Sequence, residues 1–159
     1  KETLKFKMSL KDGEWKFNDL TDLYEKLYVP YENFVILDED GVAINPDPSY
    51  YQEMFVTSLW YDPINSIPLE SDNVSNPVAI QCAFYFDRPL TCSFEAKLLN
   101  KQGKEISSKE INFKNSVIAI CDFSREFVGV EEFSNGDYRI VLYFNGEEMV
   151  KSETFLTVR

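Results

Sequence analysis

The strongest constraint on the fold is a two-residue alternation of apolar and other side chains, which recurs from about residue 50 to the end of the chain. It is clearest in VAIQCAFYF, residues 78–86. One face of that segment would carry Val78, Ile80, Cys82, Phe84 and Phe86. CSFEAKLL, residues 92–99, repeats the pattern and puts Glu95 and Lys97 on its polar face. The alternation predicts antiparallel strands with one buried face.

Turn signals separate these segments at sandwich-like spacing. Asn145-Gly146 is a tight hairpin signal because both residues tolerate positive φ. Asn100–Gly103 and Asn135–Asp137 mark further turns. We count about seven strands in roughly 110 residues, which is typical of a β-sandwich. The last of them is MVKSETFLTV, residues 149–158.

Residues 1–49 follow a different pattern and predict an N-terminal extension. Residues 4–10 alternate as a strand, Asp12-Gly13 predicts a turn, and Trp15 and Phe17 suggest a returning strand. Helical spacing of apolar residues predicts a short helix over residues 19–28, and a second hairpin follows around residues 38–41. We therefore divide the chain into an extension, residues 1–49, and a sandwich, residues 50–159.

The last hairpin resembles that of fibronectin type III and other immunoglobulin-like modules. The resemblance rests on SNGDYRIVLYFNGEEMVKSETFLTV, residues 134–158, and covers about residues 50–159. It implies that Tyr138 is a corner tyrosine whose phenol bonds back to the backbone. It also implies that Cys82 and Cys121 are neighbours within one sheet, and it implies no chemistry. The expected fold class is mainly β, an immunoglobulin-like antiparallel sandwich with a strand–helix–hairpin extension.

The formal net charge of -11 argues against nucleic-acid binding and against anionic membrane surfaces. No apolar run is long enough for a membrane span. From Leu27 to Asp87 the sequence contains ten acids and no Lys or Arg. Such a stretch is typical of solvated loops, or it forms a docking face for a basic protein partner or a metal.

Catalysis is not indicated by the sequence. The absence of His removes Ser-His-Asp and Cys-His systems, and no glycine-rich phosphate loop is present. Cys82, Cys92 and Cys121 have no CxxC spacing, and two of them lie in apolar runs. Asp38 and Asp40 are weak calcium candidates, since Gly41 comes too early for an EF-hand loop. We predict a protein that is not an enzyme and that has no cofactor.

Candidate binding residues flank the strand EMFVTSLWY, residues 53–61. The candidates are Asp47, Tyr50, Tyr51, Tyr61 and Asp62. Aromatic faces stack on sugars or pair with cationic side chains, and carboxylates accept hydrogen bonds. We expect Phe55, Leu59 and Trp60 to be buried in a strand covered on both faces, one cover being the N-terminal helix. Replacing Tyr50 and Tyr51 by Ala is then expected to leave the thermal midpoint nearly unchanged.

The predicted function is a non-catalytic protein-interaction or accessory module within a larger protein. The alternative is a carbohydrate-binding module that uses Tyr, Trp and acidic residues of 45–65. The chain lacks a signal peptide and an initiator Met, so we expect a processed protein or part of a longer one. The odd cysteine count favours the cytoplasm, and an extracellular location fits if a signal was removed.

Overall fold

The N-terminal unit contains a β-hairpin. The structure, a computed structural model, describes residues 7–19 and 51–159. The chain divides into two compact units, Lys1–Phe34 and Val35–Arg159. In the first unit, β1 (Lys7–Lys11) pairs antiparallel with β2 (Glu14–Asp19). Asp12 and Gly13 connect them with φ of 55° and 84°. The predicted turn is confirmed, because a two-residue hairpin loop with both φ positive follows the twist of its strands.

Other predictions for the N-terminal region fall on residues that the structure does not describe. These are nearly all of the helix over 19–28, the hairpin around 38–41 and the division between residues 49 and 50. Asp19 is described, and it ends β2 instead of beginning a helix.

The second unit is mainly β and consists of two packed open sheets, consistent with a β-sandwich. The strands are β3 (Phe55–Asp62), β4 (Ile67–Pro68), β5 (Asn73–Val74), β6 (Ala79–Leu90), β7 (Ser93–Asn100), β8 (Glu105–Asn112), β9 (Ser116–Ser124), β10 (Gly136–Phe144), β11 (Glu147–Lys151) and β12 (Leu156–Val158). One sheet has the order β4-β3-β6-β9, and the other has the order β5-β12-β10-β7-β8 with β11 also paired to β10. A one-turn helix, α1 (Arg125–Val128), follows β9.

The core lies between the two sheets and is built from the faces that alternation predicted. Ile80, Cys82 and Phe84 of β6 are fully buried, as are Ala96 and Leu98 of β7. Burial of one large aliphatic or aromatic side chain contributes about 1.5–3 kcal/mol, so this layer dominates the stability of the unit. Val78 was also expected in the core, but it precedes β6 and is 47% exposed.

The predicted seven strands are all present, and the last of them is interrupted. Residues 149–158 were expected to form one strand, whereas the structure has β11 and β12 with Ser152–Phe155 between them. Ser152 is 1% exposed and its hydroxyl donates to the Thr154 carbonyl. This local bond competes with the sheet ladder and accounts for the break.

The segment between β11 and β12 connects the two sheets through hydrogen bonds to β3. The backbone N–H of Glu153 donates to Ser58 Oγ at 2.8 Å. The indole Nε1 of Trp60 donates to Thr154 Oγ1 at 3.1 Å. Both β3 side chains are buried, so each needs a partner in place of water, and residues 153–154 supply one to each.

The opposite side of the sandwich is closed by Lys109 of β8. Its ammonium donates to the backbone carbonyl of Asp122 in β9, which belongs to the other sheet. It also lies 5.3 Å from the ring centre of Phe123 and 5.2 Å from that of Phe127. The lysine therefore bridges the two edge strands and pairs with both aromatic faces.

One face of β3 is open to solvent, which corrects the expectation that this strand is covered on both faces, and a β-bulge changes the side on which Phe55 lies. The pairing with β6 shifts register between Phe55 and Thr57, so Phe55 joins the inward side with Ser58 and Trp60. Val56 is 58% exposed and Leu59 is 41% exposed. Burial of Trp60 is confirmed, Phe55 is partly buried, and the predicted burial of Leu59 is wrong.

Candidate functional site

The four-stranded sheet turns one face away from the core, and we call it the outer apolar face. Its residues alternate with the buried positions of β3, β6 and β9. It consists of Thr57, Leu59, Tyr61, Gln81, Ala83, Tyr85, Ile118, Ile120 and Asp122. Cross-strand pairing aligns Leu59, Ala83 and Ile120 in one row and Tyr61, Gln81 and Asp122 in the next.

The large aliphatic side chains of this face are exposed to solvent. Ile120 is 57% exposed, Leu59 is 41% exposed and Ile118 is 38% exposed. Single exposed aliphatics are ordinary, but three on one face of adjacent strands form a patch. Asp122 is the one charged residue among the nine described positions of this face.

Two tyrosines are joined at the centre of the outer apolar face. The hydroxyls of Tyr61 and Tyr85 lie 2.5 Å apart, and this hydrogen bond raises the pKa of Tyr85 to about 12. The pair spans the row that contains Ala83, which is only 2% exposed although it points outward. Each phenol restrains the other, so the two side chains lose less conformational entropy when a partner binds. We call this pair the tyrosine platform.

The outward face of the six-stranded sheet has a different composition and carries paired charges of both signs. Lys97 lies 3.1 Å from Glu105 and 3.5 Å from Glu95. Lys101 pairs with Asp137 at 2.8 Å. Exposed ion pairs of this kind contribute little to stability and are typical of a solvated surface. The two sheets thus present chemically distinct outer faces.

A cleft of about 260 Å³ lies at the end of β3 and includes two of the predicted binding residues, Tyr61 and Asp62. Asp62 Oδ1 accepts from the Ile64 N–H at 2.8 Å and Oδ2 accepts from Asn65 Nδ2 at 2.6 Å. The Ile64 N–H in particular holds the pKa of Asp62 below its usual range. The Asp62 carboxylate is thus engaged in shaping the turn after β3.

Tyr51 was predicted to lie on a binding surface, and the structure corrects this. It is 3% exposed, and its ring centre lies 5.0 Å from that of Phe94 and 4.9 Å from that of Phe144. The phenol belongs to the core cluster. Burial of an aromatic ring beside others is favourable well beyond what an exposed loop position offers.

The remaining predicted site residues are not described by the structure. They are the binding candidates Asp47 and Tyr50 and the calcium candidates Asp38 and Asp40. Those four positions stay predictions. No group of three or more Cys, Asp or Glu side chains suited to a metal ion occurs within the described residues.

The cysteines lie where the alternation placed them. Cys82 and Cys121 are directly opposite each other in β6 and β9, which confirms that they are neighbours in one sheet. Both are buried, Cys92 is half-buried, and all three are free thiols. Burial raises the pKa of Cys92 and of Cys121 to about 12, so neither is a reactive thiolate at neutral pH.

Sequence reasoning placed Tyr85 opposite the core face of its strand but missed Tyr85, Ile118 and Ile120 as candidate binding residues. VIAICDF, residues 117–123, is apolar at nearly every position, so its alternation does not reveal which face is buried. Asp122 was the available signal, because a charge in an otherwise apolar strand marks the face turned away from the core.

In comparisons with known proteins, no family model, no curated protein and no solved structure matches this chain. Across the described part of the chain, no helix is both long and apolar enough to cross a membrane.

Proposed function

We propose that this protein is a non-catalytic module that binds another protein through the outer apolar face. The main observation in support of this proposal is the contrast between the outward faces of the two sheets. Exposed Leu59, Ile118 and Ile120 lie on one, whereas charged pairs cover the other. A contiguous apolar patch exposed on a folded domain is typical of a surface that a binding partner covers.

We further infer that the sandwich is immunoglobulin-like, of the fibronectin type III kind. When the short β4 and β5 are set aside and β11 and β12 are taken as one strand, seven strands remain in the described part of the second unit. The first, second and fifth (β3, β6 and β9) share one sheet, and the third, sixth and seventh (β7, β10 and β11 with β12) share the other. β8 pairs with β7, which departs from the antibody constant type. The phenol of Tyr138 donates to the Ser134 carbonyl at 2.8 Å, as expected of a corner tyrosine. Such scaffolds serve recognition more often than chemistry, which supports the proposal by analogy.

The carbohydrate alternative has less support. Of the aromatic residues that suggested it, Tyr51 and Trp60 are buried, and Trp60 uses its N–H within the protein. Tyr61 remains at the surface, joined to Tyr85. The exposed aliphatic side chains of Leu59, Ile118 and Ile120 on the same face suit a protein partner better than a sugar.

A parallel screen separates the two candidates. The wild-type protein and Ile120→Asp are each tested on a glycan array and against a phage-displayed library of random twelve-residue peptides. We expect some peptides to bind wild type and to bind Ile120→Asp at least tenfold more weakly. We expect no glycan on the array to bind the protein. Glu147→Gln, an exposed carboxylate of the other sheet, is the matched control. Retained glycans that depend on Tyr61, with no peptide dependent on Ile120, would contradict the proposal.

A further inference from the structure

The charge of the outer apolar face indicates the chemistry of its partner. Asp122 has no ion-pair partner within the described residues, and the neighbouring cation Lys109 is bound to the Asp122 backbone carbonyl and lies over the rings of Phe123 and Phe127. The Asp122 carboxylate is on the outward side, in the row of Tyr61 and Gln81. None of the nine positions of the face is a Lys or Arg, and the exposed Glu153 carboxylate accepts from Thr57 Oγ1 at 2.6 Å. A partner surface would therefore meet the carboxylates of Asp122 and Glu153, and no cation from these positions.

A second copy of this chain is a poor occupant of the face. The formal net charge is -11, and two such molecules repel each other as they approach. In a dimer related by a twofold axis, the outer apolar faces of the two copies would contact each other. Each face would then offer the other a carboxylate and no Lys or Arg. Electrostatic complementarity instead favours a partner that supplies a cation.

The spacing of β9 defines how that partner would present its groups. Ile118, Ile120 and Asp122 are alternate residues of one strand, so neighbouring side chains lie about 7 Å apart in a line. The tyrosine platform lies beside this line on β6 and β3. Aromatic ring faces attract Lys and Arg, which adds a second contact for a cationic side chain.

Resting on the proposed function, we infer that the outer apolar face recognises a protein segment in which a line of apolar side chains ends in Lys or Arg. The apolar side chains pack on Ile118 and Ile120. The cation pairs with the Asp122 carboxylate. The contact is made by side chains, since Lys109 and the Ser116 hydroxyl already occupy backbone groups at the β9 edge, those of Asp122 and Ile118.

The peptides enriched on wild type provide the test. We expect them to carry apolar residues together with Lys or Arg, and to bind Asp122→Asn about two- to five-fold more weakly, the range of an exposed ion pair. Asp122→Lys is expected to reverse the preference, so that replacing the peptide cation by Glu restores binding. Glu147→Gln is the control again, and Ile120→Thr, which keeps a β-branched side chain, shows whether Ile120→Asp acts through folding. Circular dichroism of every variant reports the fold.

The outcomes separate this inference from the proposed function. Peptides that depend on Ile120 but carry no preferred base, or that ignore both Asp122 variants, overturn the inference and leave the function standing. Peptides indifferent to Ile120, or no enrichment at all, overturn both. A concentration-dependent dimer in sedimentation equilibrium that Ile120→Asp abolishes would identify a second copy as the occupant, and would likewise overturn the inference.

Discussion

At the scale of single residues, the aromatic residues in and just before β3 have different roles. Tyr51 and Trp60 are buried at 3% and 4% exposure, whereas Tyr61 reaches the outer apolar face. Composition alone treats the three as equivalent stacking residues. Their difference comes from long-range partners: Phe94 and Phe144 around Tyr51, Thr154 beside Trp60.

Tyr51→Ala is expected to destabilise the protein by about 3–5 kcal/mol, the range for truncating a buried aromatic side chain. The reason is the cavity left beside Phe94 and the loss of two ring contacts. Urea denaturation followed by far-UV circular dichroism measures the free energy of unfolding, and Tyr51→Phe, which keeps the ring, is the control. An unchanged midpoint in Tyr51→Ala would restore the view of this residue as a surface tyrosine.

At the scale of elements, the open sides of the sandwich are closed by polar side chains. Glu153 and Thr154 hydrogen-bond to β3, and Lys109 bridges β8 and β9. Edge strands present unpaired backbone groups that can pair with another chain. In β9 the Ser116 hydroxyl occupies both backbone groups of Ile118, and Lys109 occupies the carbonyl of Asp122. Both contacts protect the same edge.

Removing the charge of Lys109 is expected to expose the β9 edge. In Lys109→Met the aliphatic stem still covers Phe123, but the Asp122 carbonyl loses its donor, so strands of two molecules can pair there. Sedimentation velocity between low and high protein concentration should show self-association, with native circular dichroism at low concentration. Lys114→Met, an exposed lysine in the turn before β9, serves as the matched control. A variant that stays monomeric throughout would show that the lysine does not guard this edge.

At the scale of the whole second unit, two packed sheets bury three thiols wholly or in part and leave two chemically different outer faces. The core excludes water from Cys121, whose pKa is raised to about 12 by burial. Protonation of that thiol is therefore linked to folding of the entire unit.

The free energy of unfolding is expected to fall as pH rises above about 9. The unfolded chain releases the Cys121 proton near pH 9, whereas the folded chain holds it until about pH 12, so stabilisation present below pH 9 is lost across that interval. The expected slope from this thiol is about 1.4 kcal/mol per pH unit. Urea denaturation of wild type and Cys121→Ala at pH 8.5 and 10.5 measures the difference in slope. Equal slopes in the two proteins would exclude this linkage.

The strands and their tight turns can be predicted from the sequence, because both follow from local chemistry. Alternation of apolar residues placed Phe84 and Leu98 inward, and positive φ at Asp12-Gly13 and Asn145-Gly146 is a property of those residues. Which strand faces are covered depends on the packing of the two sheets, and local sequence does not specify it. A strand such as β9 is apolar on both sides, and the choice between them depends on where the second sheet packs. The same packing, with the register shift at Val56, buries Tyr51 and leaves Leu59 and Ile120 exposed.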